Sequence, residues 1–160
     1  MSLIFWLPLI CVVLHVFEEF AWPGGFSRWY ADLLPETAIS FTPAYAVVIN
    51  GLLIATAFTL GSLGPEWSRG VSLWLALAAL GASNALFHLF GVLRLRRYSP
   101  GVVTGVLLYI PLCILGFWYF LSTGAASPKI ALTSLAVGSF FNLWAIFRHR
   151  GRAAAMSQRA

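Results

Sequence analysis

Five apolar runs, each close to the length of a bilayer-crossing helix, dominate this chain. A spanning helix needs about 20 mostly apolar residues. The runs cover about 3–20, 43–63, 71–93, 102–121 and 130–147. They are separated by Trp22-Pro23-Gly24-Gly25, Gly64-Pro65, Ser99-Pro100-Gly101 and Ser127-Pro128, and proline and glycine are the usual punctuation between helices. Only 9% of the 160 residues are charged and 60% are hydrophobic, whereas a soluble domain carries about 25% charge. The fold class that follows is all-α, an integral membrane bundle of five transmembrane helices in one domain over residues 1–150. A basic cytoplasmic tail over 151–160 is expected to be solvated or frayed.

Between the first two runs, Phe26, Trp29, Tyr30, Leu33 and Leu34 recur at helical spacing, with Arg28 and Asp32 on the other side. That pattern predicts a short amphipathic helix lying in the membrane interface, ended by Pro35. Five spans put the termini on opposite sides. One side holds Arg28, Arg94, Arg96, Arg97, Arg148, Arg150, Arg152 and Arg159, and the other only Arg69 and Lys129. Cytoplasmic loops carry the excess of basic residues, so the N-terminus is expected outside and the C-terminus in the cytoplasm of a multi-pass cell-membrane protein. The arginines flank apolar runs and form no separate basic domain, which excludes a nucleic-acid-binding class. Cys11 and Cys113 lie inside apolar runs without partner spacing and read as buried free thiols. The N-terminal run lacks a basic leader and ends in Glu18 and Glu19, so it reads as a retained helix rather than a signal peptide.

This topology turns scattered polar residues into a layer. His15, Glu18 and Glu19 fall at the cytoplasmic end of the first span. His88 lies roughly 9 Å short of Arg94, and Asn142 a similar distance short of Arg148. Asn50 lies roughly 10 Å past Pro43, and Thr104 is in the first turn of the fourth span. His15 shares a helix face with Glu18 and Glu19, which are themselves about 100° apart. Gly81, Asn84, His88 and Gly91 form one stripe, and Ser134, Gly138 and Asn142 another. A lone Asn in a span is more often interhelical glue than chemistry, so Asn50 and Asn142 take the structural reading first. The set of two acids and two histidines is harder to assign to packing, because each charge at mid-membrane costs roughly 2.5–3.5 kcal/mol.

At these residues the chain resembles the HXXEE-domain family of small membrane proteins. His15-Val16-Phe17-Glu18-Glu19 matches its signature, and Asn84-Ala85-Leu86-Phe87-His88 an Asn shortly before a His. Tyr98-Ser99-Pro100-Gly101-Val102-Val103-Thr104 matches a Tyr-x-Pro-Gly-x-x-Thr pattern. The three occur in the expected order. The resemblance implies a membrane location and the same polar residues. It implies no reaction, because the family is one of unknown function.

The cluster supports several chemistries. An enzyme would use Glu18 or Glu19 with His15 and His88 as acid and base, Asn84 orienting a substrate oxygen. Its substrate would be a lipid or isoprenoid-like molecule, isomerised, cyclised or hydrolysed. Asn50, Tyr98, Thr104 and Asn142 would then bind substrate or support structure. A metal reading takes His15, Glu18 or Glu19, and His88 as ligands with an open position, which suits Zn or non-haem Fe. No HExxH spacing is present. A transporter or proton-coupled protein is the alternative from another class, including a homo-oligomer with a pore between subunits. A membrane scaffold with a structural polar layer is the last.

Overall fold

A computed structural model describes residues 2–158, and every regular element among them is helical. A 3-10 turn, Ser2–Trp6, leads into α1 (Leu7–Phe20). A short α2 (Phe26–Leu33) and a second 3-10 turn (Pro35–Ser40) follow. The long helices are then α3 (Pro43–Leu63), α4 (Gly70–Leu95), α5 (Val102–Ser122) and α6 (Pro128–Ser157). Five of the helices are long and apolar enough to cross a membrane. Inside a bilayer no water satisfies backbone N–H and C=O groups, so apolar segments close those bonds within themselves.

The helix starts are written locally. Pro43 and Pro128 each open a helix where no intrahelical N–H is missed. The residue before each caps it: Thr42 accepts from the Tyr45 N–H at 3.2 Å, and Ser127 from that of Ile130 at 3.3 Å. Inside α5, Pro111 has no N–H to give and its ring crowds the preceding turn. That turn, Gly105–Tyr109, is widened into a π segment, a form frequent at functional sites.

α4 is the central helix, in contact with all five others. Its closest partner is α6. A Cβ on Gly138 would lie 2.2 Å from the Ala76 carbonyl oxygen, so only glycine allows this approach. Ser134 donates to the Ser72 carbonyl at 3.0 Å, and Asn142 to the Leu80 carbonyl at 3.1 Å and to the Ser83 hydroxyl. The Ser134–Gly138–Asn142 stripe therefore joins two helices, as small and polar residues do in membranes. At the opposite end of the bundle from the arginine cluster of Arg94, Arg96 and Arg97, the Trp74 indole donates to the Ile4 carbonyl at 2.8 Å and packs on Phe120 and Phe5. Large apolar side chains remain on the outside, among them Leu7, Ile10, Leu14 and Phe17 of α1 and Phe140, Leu143 and Phe147 of α6. Exposed apolar surface on this scale fits lipid contact.

α2 buries Phe26, Trp29, Tyr30 and Leu33 and exposes Arg28 and Asp32. The buried face rests on the end of α4 that carries Phe87 and His88, and an Asp32–Arg97 ion pair joins α2 to the turn that follows α4. One expectation needs correcting. The sequence shows no apolar pattern past Phe147 and predicts a frayed basic tail, yet α6 continues to Ser157. The 3-10 turn after α2 packs against this extension, burying His149 and Ala153. Arg159, counted above among the basic residues of this end, lies outside the described residues.

Candidate functional site

Glu18 and Glu19 are neighbours on α1 that go to different places. Glu18 reaches the start of α5. Gly101 stands at the N-cap of that helix and has no side chain to cap it, so the first N–H groups need another acceptor. The Glu18 carboxylate supplies it from a different helix, taking the Val103 N–H at 3.1 Å and the Thr104 N–H at 2.7 Å. The Thr104 hydroxyl adds a bond of 2.5 Å and the Tyr98 hydroxyl one of 2.6 Å. Burial of the phenol and the neighbouring Glu18 carboxylate push the Tyr98 hydroxyl above the usual tyrosine range, so it remains a donor. A carboxylate at a helix N-terminus also meets the positive end of the helix dipole.

The Thr104 hydroxyl has one hydrogen, and the short contact to Glu18 uses it. The 2.9 Å contact between Thr104 Oγ1 and His15 Nδ1 then requires the hydrogen on His15 Nδ1. In a neutral imidazole that leaves Nε2 as a bare lone pair. His88 is held in a similar way, with Nδ1 2.8 Å from the Ser99 hydroxyl.

Both Nε2 atoms turn to Glu19. Its Oε1 lies 3.5 Å from His15 Nε2 and 3.2 Å from His88 Nε2. Neither Nε2 atom has a hydrogen-bond partner among the described residues, so these contacts have the distance of an ion pair without hydrogen-bond geometry. The imidazoles stand edge to face, with centroids 5.2 Å apart, and both are buried, His88 completely. Trp29 of α2 stacks on His88 at 5.3 Å and Tyr109 of the π segment lies 4.7 Å from His15. Gly101 forms the floor. A Cβ there would sit 2.8 Å from Cε1 of both rings, and its φ of +99° is one that other residues rarely adopt.

Glu19 opens on the other side to a cavity of about 410 Å³ between α1, α3, α4 and α6, within the size range of small-molecule sites. Its walls are mostly apolar and aromatic, including Phe20, Phe26, Tyr30, Phe41, Tyr45 and Phe87. Asn50, Ser83, Asn84, Ser139, Asn142 and His149 are the other polar residues at its surface. Asn84, one turn before His88, has a buried Oδ1 with no hydrogen-bond partner among the described residues. Asn50 donates to the Ala46 carbonyl of its own helix at 3.0 Å. A smaller cavity lined by Val16, Phe20, Pro43, Ala46, Val47 and Asn50 lies between α1 and α3 and shares Phe20 and Asn50 with the larger one.

His15, Glu19 and His88 thus form one buried group, and their ligand atoms all lie within 4.8 Å of one another. Glu19 and Asn84 face the cavity, and the imidazoles stand behind Glu19. Glu18, Tyr98 and Thr104 form the capping network, while Asn142 serves the α4–α6 contact. Sequence reasoning missed Ser99, Gly101, Ser40 and His149. Ser99 and Gly101 lie in the Tyr-x-Pro-Gly-x-x-Thr pattern, and their roles follow only from the rings they touch. Ser40 donates to the Thr37 carbonyl at 2.7 Å and so receives from His149 Nδ1, 2.5 Å away. His149 sits in an arginine-rich stretch that gave no apolar signal.

The family described as "Protein of unknown function with HXXEE motif" matches residues 6–116. That range holds the whole His15–Glu19–His88 group and its capping network. The chain belongs to the HXXEE family. The chain is also similar to the "Uncharacterized protein YrkK" of Bacillus subtilis (strain 168), 28% identical over 143 residues, covering 85% of this chain and 88% of that protein. No solved structure matches the chain. In this HXXEE protein the two glutamates of the motif divide between a helix cap and the histidine pair. The matched region ends within α5, so His149 and Asn142 of the cavity lie beyond it.

Proposed function

We propose that this HXXEE protein is a membrane-embedded enzyme that performs acid–base or metal-assisted chemistry on a lipophilic molecule. The observation that carries the reading is Glu19: a carboxylate backed by two imidazoles, at the wall of a mostly apolar and aromatic cavity. Glu18 and Glu19 are the only carboxylates in the five spans, and Glu18 is engaged by four hydrogen bonds. Glu19 is therefore the group able to exchange a proton with a bound molecule, and the histidines are its partners. The unpartnered Asn84 Oδ1 would accept a hydroxyl or N–H of the substrate. The apolar walls suit an isoprenoid or acyl chain, and isomerisation, cyclisation or hydrolysis fits the donor set.

The proposed topology puts the N-terminus outside and the C-terminus in the cytoplasm. The basic residues at the ends of α4 and α6 share the end of the bundle that holds the site, and cytoplasmic ends carry the excess of arginine. The site then lies in the cytoplasmic leaflet, and α2 lies in its interface. The smaller cavity between α1 and α3 gives a lipid-borne molecule a lateral path, with Phe20 at the junction. A transporter would need a polar path through the opposite halves of the spans, where the sequence places almost no ionisable residue.

The experiment compares lipid extracts of cells expressing wild-type chain, Glu19→Gln or no chain, by untargeted mass spectrometry. The expected result is a lipophilic product present only with the wild type. Identical extracts, together with Glu19-dependent flux of a lipophile across proteoliposomes, would replace the enzyme by a transporter.

A further inference from the structure

We infer that His15 Nε2, His88 Nε2 and a Glu19 carboxylate oxygen form a binding site for one divalent first-row metal ion, of the zinc or iron(II) type. The inference deepens the proposed function, since it concerns the same residues, and its test below does not depend on turnover.

Three observations converge. The first is the donor set and its spacing. Zinc binds histidine nitrogen and carboxylate oxygen at about 2.0–2.2 Å, so ligand atoms in a tetrahedral site stand about 3.4 Å apart. The two nitrogen–oxygen separations here are 3.2 and 3.5 Å. All the ligand atoms lie within 4.8 Å, so a movement of less than about one ångström by each ring completes the triangle. Two imidazoles and one carboxylate, with further positions open, suit zinc or non-haem iron.

The second is the direction of the hydrogens. A ligating histidine is neutral, gives its lone pair to the ion and donates its other N–H to an oxygen that orients the ring. On His15 the Nδ1 hydrogen is imposed, because Thr104 spends its own hydrogen on Glu18 and can only accept there. His88 has a hydroxyl in the same place, that of Ser99. The third is what is left over. The two Nε2 atoms are buried and make no hydrogen bond among the described residues, although a buried polar atom without a partner costs about 1–3 kcal/mol. A carboxylate that merely bridged two histidines would meet at least one N–H in line. A cation between the three removes the cost for all of them, and Gly101 leaves both rings free to approach it.

The test uses the full chain in detergent, stripped with a chelator and titrated with Zn²⁺ and then Co²⁺. The wild type is expected to take up one equivalent of either, and the cobalt form to show the intense visible bands of a four- or five-coordinate ion. Glu19→Gln and His88→Asn should each weaken binding by more than about 100-fold, beyond the 10–100-fold typical of an orienting partner, while keeping helical content. Should His88→Asn fail to fold, Glu19→Gln and the wild-type cobalt spectrum decide. No stoichiometric uptake by the wild type, or unchanged affinity in Glu19→Gln, overturns the site. Uptake at this site with lipid extracts indifferent to Glu19 would keep the metal and defeat the enzyme. A Glu19-dependent product without uptake would do the reverse.

Discussion

Glu18 takes two hydrogens from Thr104, one from the backbone amide at 2.7 Å and one from the hydroxyl at 2.5 Å. The same residue thus has its helix start capped and its hydroxyl orientation set by a single carboxylate. That pairing withdraws Glu18 from the cavity and leaves Glu19 as the acid that faces it. It also transmits the hydrogen-bond direction to His15 through Thr104, 89 positions away in sequence.

Glu18→Gln should destabilise the protein. The amide replaces a charged acceptor at the α5 N-terminus and turns an NH₂ group toward donors. Leaving these buried groups unpaired costs about 1–3 kcal/mol. A lowered melting temperature in detergent is the expected readout, with function falling in step. An unchanged melting temperature would show that the cap is not needed for folding.

Glu19→Gln should do the opposite. The side chain keeps its volume, and in wild type neither imidazole makes a well-formed hydrogen bond to it. Stripped of metal, the variant should melt within a few degrees of metal-free wild type, while the Glu19-dependent lipid product disappears. Equal loss in both measurements would move Glu19 to the structural side.

These two substitutions mark how far the sequence could be read. The spans were legible because lipid demands long apolar runs, and proline and glycine mark their ends. The shared level of His15, Glu18, Glu19, His88 and Thr104 along the bundle was legible because helical rise converts residue number into height. The split between Glu18 and Glu19 was not. A helix period says that neighbours point about 100° apart, but which of them meets α5 depends on how α1 is rotated in the bundle. His149 was hidden for a related reason. Its surroundings are made by Ser40, Tyr45 and Tyr30, distant in sequence, and its neighbours are arginines that face away. The π segment was equally hidden, since Pro111 alone predicts a kink without saying which distortion absorbs it.

Gly101→Ala should damage the site without removing any polar group. A methyl group would meet Cε1 of both histidines at 2.8 Å, at a φ of +99°. The backbone strain alone is about 1–3 kcal/mol. A lower melting temperature and weakened Zn²⁺ binding should appear together. Retained metal affinity would mean that the rings can retreat from Gly101 and still bind.

Reporter fusions after Arg152 should place the C-terminus in the cytoplasm, because the helix ends that share its side carry most of the arginines. An external C-terminus would move the cavity to the other leaflet. The chemistry would remain, but the substrate would have to come from the outer face.

The last prediction concerns Thr104, which touches neither the cavity nor Glu19. Thr104→Val keeps the β-branched shape and the backbone N–H to Glu18, and removes only the hydroxyl. Glu18 loses its 2.5 Å donor, and His15 Nδ1 loses the acceptor 2.9 Å away. His15 can then place its hydrogen on Nε2, where it blocks a metal. Loss of such an orienting partner typically weakens metal affinity by about 10–100-fold. Thr104→Ser retains the oxygen and should bind nearly as well as wild type. The serine variant is the control that separates the two roles of the residue. A purely structural hydroxyl would shift melting temperature in the valine variant and leave Zn²⁺ affinity alone. An orienting hydroxyl lowers affinity in valine and restores it in serine, whatever happens to stability. Equal Zn²⁺ affinity in the two variants, measured by competition with a chelator of known strength, would break the link from Glu18 through Thr104 to His15.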